Sequence, residues 1–183
     1  MSFRSIYSSL PFLFLAATFC FADEIPADIK PLLDKQIEGI KKLSTDQTII
    51  AAVKKYNEAP SSSMTNKNWK KLTLISPEVK QLVKSDIGKY LKSLKTEVIT
   101  EMFLNGADGG KVAFLSKTSS WNHKGKAKHD VPMKGETWIG PMEIDDSSGA
   151  KQIQVGIPIL DEDKPIGSLV IGFGVAEMQE QAK

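Results

Sequence analysis

The segment Lys117-Thr118-Ser119-Ser120-Trp121-Asn122-His123-Lys124-Gly125 gathers side chains able to hold a small polar molecule. It starts where an apolar run ends and combines cations, hydroxyls, an amide and an indole. Lys117 or Lys124 can pair with a carboxylate, Thr118 and Ser119 can hydrogen-bond, and Trp121 can wall a pocket. Such a set suits a small anionic or zwitterionic ligand. The competing reading is a structural loop, in which Thr and Ser satisfy nearby backbone groups and Trp packs on a sheet.

Other constellations carry less. His123, His129 and Asp130 have metal-ligating types, but the spacing is not that of a helical histidine pair, and no third histidine or second cysteine completes a site. Loop histidines among Lys124, Lys126 and Lys128 are expected to face solvent, and no metal is expected. Gly167 to Gly174 is not a phosphate loop: no Gly-Lys-Ser/Thr follows, and the glycines lie in a strand pattern, where they mark close packing. Ser119 and Ser120 stand near His123, but no Gly-x-Ser-x-Gly elbow exists. Cys-x-x-Cys-His is absent, which excludes c-type haem. The expectation is a protein that is not an enzyme and carries no cofactor.

The elements that must position these residues follow from patterning. Ile29, Leu32, Leu33, Ile37, Ile40 and Leu43 form one helical face, with Asp28 as an N-cap. Ser44 and Gln47 read as a capping box before a second stripe, Ile49, Ile50, Val53 and Tyr56. A further helix starts at Ser76-Pro77-Glu78 and runs through Val79, Leu82, Val83, Ile87, Tyr90, Leu91 and Leu94. After Lys95 the pattern turns to strands: 98–104, 111–116, 138–144, 152–160 and 166–175. Asn105 to Gly110 reads as the turn of the first hairpin, and 117–135 as a long polar loop. Helices first, then hairpin-linked strands, give an α+β fold with an antiparallel sheet.

Composition sets the class. The 183 residues carry 24 Lys plus Arg against 22 Asp plus Glu, a net charge of +2, which lacks the excess of a nucleic-acid binder. Residues 1–22 hold one basic residue, Arg4, then an apolar run ending Cys20-Phe21-Ala22, which reads as a signal peptide cleaved near Ala22. Cleavage removes the only cysteine. The expected product is residues 23–183, one domain, periplasmic or secreted, without a membrane span.

Several segments in order resemble the single Cache, or PDC-type, extracytoplasmic sensor domains. Asn68-Trp69-Lys70 resembles the family's early Trp-Arg element, and 97–104 followed by Ala107-Asp108-Gly109 its first strand and turn. Lys111-Val112-Ala113 and Lys117-Thr118-Ser119 resemble the second strand and its Thr-Ser-Asp exit. Residues 152–159 and 165–172 resemble the last two strands. The resemblance implies a PAS-like five-stranded antiparallel sheet with N-terminal helices, and a pocket on the sheet under the 117–135 loop. Lys117, Thr118, Trp121, Trp138 and Gln154 are the expected pocket residues. Where relatives read acidic, this chain reads Ser120 and Asn122-His123-Lys124-Gly125-Lys126, so an anion such as a carboxylate is expected. Family members usually drive a kinase, cyclase or chemoreceptor, so the expected module signals through a separate membrane-bound partner of that kind. The alternative is a protein-interaction module with a filled pocket and no small-molecule ligand.

Overall fold

The computed structural model describes residues 25–61, 63–145 and 149–183; the expected signal peptide lies outside them. Two helices open the chain, α1 (Lys30–Lys41) and α2 (Gln47–Glu58). Short helices α3 (Asn66–Trp69), α4 (Pro77–Lys84) and α5 (Asp86–Ser93) follow. Strands β1 (Ile99–Gly106) and β2 (Lys111–Phe114) form a hairpin. After α6 (Ala127–Asp130) come β3 (Trp138–Ile144), β4 (Lys151–Asp161), β5 (Lys164–Gly174) and α7 (Val175–Gln181). The strands make one antiparallel sheet in the order β2-β1-β5-β4-β3. This is the α+β, PAS-like arrangement implied by the resemblance, with helices leading the sheet. No helix among the described residues is long and apolar enough to cross a membrane.

One face of the sheet is apolar. Met102 and Leu104 of β1, Ile153, Val155 and Ile157 of β4, and Leu169, Ile171 and Phe173 of β5 pack against Leu33, Ile37, Ile49 and Val53 of α1 and α2. Alternation along each strand sends the intervening residues to the opposite face, which carries the polar groups. The polar ones are Glu101 and Asn105 on β1, Gln152 and Gln154 on β4, and Ser168 on β5; Phe103 and Val170 share this face and pack with Trp69, Phe114 and Trp121.

Local capping departs from the sequence reading in three places. Asp46, not the Ser44–Gln47 pair, caps α2: its Oδ1 accepts from the amides of Thr48 (2.9 Å) and Ile49 (3.0 Å). Asp28 does not cap α1, whose N-cap position is Ile29. The helix expected from Ser76 to Leu94 breaks at Ser85, whose Oγ accepts from Gly88 N (3.1 Å) and donates to the Leu82 carbonyl (2.7 Å). Gly88 allows the break, because a Cβ there would stand 2.4 Å from the Leu82 carbonyl oxygen. Ser76 does occupy the N-cap position of α4, but its Oγ accepts from Thr73 N (2.9 Å) rather than from the helix.

Two further differences bear on the site. The first hairpin is longer than expected, so Asn105 is a fully buried strand residue instead of part of the turn. The 117–135 segment is not merely a loop: it contains α6 and a 3-10 turn at Pro132–Lys134.

Candidate functional site

Residues 115–137, between β2 and β3, form a flap over the polar face of the sheet. Three of its polar side chains reach the sheet. His123 stacks on Phe103, ring centroids 4.9 Å apart, and its Nδ1 meets Lys111 Nζ. His129 Nδ1 lies 2.8 Å from Ser168 Oγ. Lys128 Nζ donates to Gln154 Oε1. The expectation that both histidines face solvent is therefore corrected: His123 is 3% and His129 1% exposed. They are drawn in because the sheet offers them partners that the neighbouring sequence does not show.

Two hydrogen-bonded chains cross the face. The first joins the two histidines. Lys111 Nζ, shared with His123, donates to Asn105 Oδ1 (2.7 Å), and Asn105 Nδ2 donates to Ser168 Oγ (2.9 Å), which meets His129. The second starts at Lys128 and passes through Gln154, whose Nε2 donates to Glu101 Oε2 (2.7 Å). Gln152 Nε2 donates to the same oxygen (3.3 Å), and Thr100 Oγ1 donates to Gln152 Oε1. Gly172 makes room for this amide: a Cβ there would lie 2.3 Å from Gln152 Oε1. Among the described residues, no buried side-chain nitrogen or oxygen lacks a partner.

Burial governs the electrostatics. Lys111 is 1% exposed, and desolvation holds its amine well below the usual lysine range. None of the described carboxylates forms an ion pair with it. Its Nζ sits 4.3 Å above the Phe103 ring. Burial, reinforced by the charge of Lys111, pushes His123 down to about 2. His129 and Lys128 are also lowered by burial, and Glu101 is raised, first by burial and then by the charge of Asp145.

The expected pocket residues fall into two groups. Lys117, Thr118 and Trp121 surround Trp69. Lys117 is half-buried with Nζ 5.0 Å from the Trp69 ring, and burial lowers its amine. Thr118 is turned to structural use: its carbonyl accepts from Trp69 Nε1 (2.7 Å) and its hydroxyl donates to the Ser120 carbonyl (2.7 Å). Trp121 packs on Trp69 at 5.2 Å. Gln154 and Trp138 lie towards the other edge of the sheet. Gln154 is inside the second chain, and Trp138, half-buried on edge strand β3, pairs with Gly156, two residues along β4.

Open space lies beside the first group. A cleft of about 320 Å³ runs between the end of α2 and α4, lined by Tyr56, Met64, Glu78, Leu82, Lys111 and Trp121, among others. Of the expected pocket residues, only Trp121 lines it. Sequence reasoning missed Glu101, Asn105, Lys111 and Lys128. A signal for two of these was present: Glu101, Phe103 and Asn105 repeat at the strand period, so two polar side chains share one face.

No protein-family model matches the chain, and no curated protein matches it. Solved structures of sensor domains are similar to it. The Campylobacter jejuni chemoreceptor Tlp3 (CcmL) sensory domain with isoleucine bound is 17% identical with a TM-score of 0.46, over 86% of this chain and 66% of that one. The V. cholerae histidine kinase DctB sensor domain is 18% identical with a TM-score of 0.44, over 83% of this chain and 59% of that one. The ligand-binding domain of the Pseudomonas aeruginosa PAO1 amino acid chemoreceptor PctC, in complex with GABA, is 9% identical with a TM-score of 0.36, over 80% of this chain and 63% of that one. The chain thus spans about three-fifths to two-thirds of the length of these domains.

Proposed function

We propose that this chain is a sensory module acting outside the cytoplasm, which binds a small ligand with an anionic group in the cleft beside Lys111 and Trp121. The observation that carries the reading is Lys111 itself. A buried amine, in the wall of a cleft of about 320 Å³ and in no ion pair among the described residues, is a group that an entering anion can draw to its protonated form. A carboxylate entering that low-dielectric wall gains more from the charge than it does in water, and it favours the protonated amine. Trp121 and Met64 supply the apolar wall for the rest of the ligand. Because Lys111 also holds His123, ligand contact changes the grip of the flap on the sheet. A membrane-bound kinase, cyclase or chemoreceptor reading the flap surface completes the proposed pathway.

Small carboxylates titrated into the purified domain test this by thermal shift. The expected result is a concentration-dependent rise in melting temperature, by mass action. Trp121→Ala and Lys111→Met each remove the rise. A rise unchanged in both variants overturns the site.

A second reading, a protein-interaction module, is favoured by two observations. The face beneath the flap is filled by the protein's own paired side chains. Leu74 and Ile75, ahead of α4, are 66% and 73% exposed, an apolar pair on the helical half. This reading expects no carboxylate response and a partner retained in pull-downs.

A further inference from the structure

Lys128 is an ammonium on a four-carbon stem, hung from the four-residue helix α6 in the middle of the flap. It reaches a seat that the sheet builds from polar side chains of two strands, β1 and β4. Gln154 Nε2 and Gln152 Nε2 both donate to Glu101 Oε2, at 2.7 and 3.3 Å. This fixes the Gln154 amide so that its carbonyl oxygen faces away from the carboxylate. That oxygen accepts from Lys128 Nζ. Glu101 is 8% exposed; burial and the charge of Lys126 oppose the Lys128 ammonium, while the charges of Glu143, Glu101 and Asp145 favour it. Among the described residues no carboxylate forms a direct ion pair with Lys128. The seat is thus an oriented carbonyl dipole backed by buried negative charge, filled by a primary amine whose only specific tie is one hydrogen bond.

We propose that the Glu101–Gln152–Gln154 cradle is a binding site for the primary ammonium group of a small alkylamine, and that Lys128 is a tethered stand-in which holds the flap shut until such a ligand displaces it. The chemistry of the cradle selects this class. It offers an oxygen acceptor and negative charge to an N–H donor. An anion would meet Glu101, and a quaternary ammonium could not donate to Gln154 Oε1. The site differs from the cleft at Lys111 in its lining, which shares no residue with the cradle, although the charge of Glu101 also acts on Lys111. Displacement of Lys128 removes one inward tie of the flap and leaves those of Trp121, His123 and His129, so ligand occupancy is expressed as loosening around α6.

The probe is n-butylammonium chloride, with sodium chloride and tetramethylammonium chloride as controls, and the readout is hydrogen exchange of the flap amides together with Trp fluorescence. In the unaltered protein, n-butylammonium is expected to raise flap exchange saturably, and tetramethylammonium to leave it unchanged. The tether gives Lys128 an effective concentration in the millimolar range, so Lys128→Ala should bind the probe at least about tenfold more tightly. Glu101→Gln should abolish the response, and so should Gln154→Met, which keeps the stem and removes the acceptor oxygen. If Glu101→Gln does not fold, Gln154→Met alone decides. Binding to Lys128→Ala with no response of the unaltered protein at any concentration would reduce Lys128 to a structural prop and overturn the proposal. So would a response that tetramethylammonium reproduces, or one that Gln154→Met leaves unaltered. The carboxylate response of the cleft is measured separately, so either site can fail while the other stands.

Discussion

The two faces of the sheet are built on opposite principles. The face under α1 and α2 is a continuous apolar layer in which Ile153, Val155, Leu169, Ile171 and Phe173 are each fully buried. Its stability is a sum over area, and neighbouring groups of similar size can substitute for one another. The face under the flap is equally dry, but beside an apolar cluster of Phe103, Val170, Trp69 and Trp121 it holds polar members tied into two chains. There a single loss leaves a named partner unsatisfied, since a buried donor or acceptor without its mate bears the full desolvation cost. The difference teaches where this protein can respond to its surroundings. An apolar layer has nothing to exchange with a polar ligand, whereas a network of hydrogen bonds can trade one of its own members for a guest.

The comparison can be broken at three points. The largest effect belongs to the apolar face: Phe173→Ala is expected to cost about 3–5 kcal/mol in chemical denaturation, with no dependence on ligand. A much smaller loss would mean that the layer collapses around the gap and is not close-packed. Next comes Lys111→Met, which keeps the stem and removes the amine. It strands Asn105 Oδ1 and His123 Nδ1, for an expected loss of about 1–3 kcal/mol. The double variant Lys111→Met/Asn105→Leu should lose less than the two single variants added together, because it removes both ends of one bond. Strict additivity would show that the chain is not a network.

The smallest effect is a slope. His123, brought down to about 2, and His129, also lowered, are neutral in the fold but accept protons near 6.5 when unfolded. Between those values the unfolded chain binds more protons, so stability falls as pH drops below 6.5. Each histidine contributes at most about 1.4 kcal/mol per pH unit. Glu101 acts with the opposite sign, because its carboxyl holds a proton longer in the fold than in the unfolded chain. His123→Gln should remove one histidine's share of the slope in denaturation series run from pH 7 to pH 5. An unchanged slope would mean that His123 titrates freely and is not held in the network.

Much of the fold was legible. Alternating apolar residues in Gln152–Leu160 and Ile166–Val175 announced strands, and the stripes through Leu33, Ile37 and Val53 announced helices, because both patterns are local periods of 2 and 3.6. The break at Ser85 was not legible. It depends on Gly88 packing against a carbonyl of the preceding helix, a contact that the apolar stripe across both helices conceals. The site was legible only in its cover. The mixture of Lys117, Thr118 and Trp121 marked the segment that becomes the flap. Yet the hydroxyl of Thr118 is used up within its own loop, and the cleft takes only Trp121 from the expected residues.

By itself the sequence determined the order of helices and strands and the polar character of the segment between β2 and β3, since these follow from short-range spacing. Only the tertiary structure decided which polar residues meet. Lys111 finds Asn105 and His123, and Lys128 finds Gln154, across strand pairings and a chain reversal that local patterning does not encode. The physical reason is that burial compels every donor and acceptor to find a mate, and the mate is chosen by the register of the sheet and not by distance along the chain.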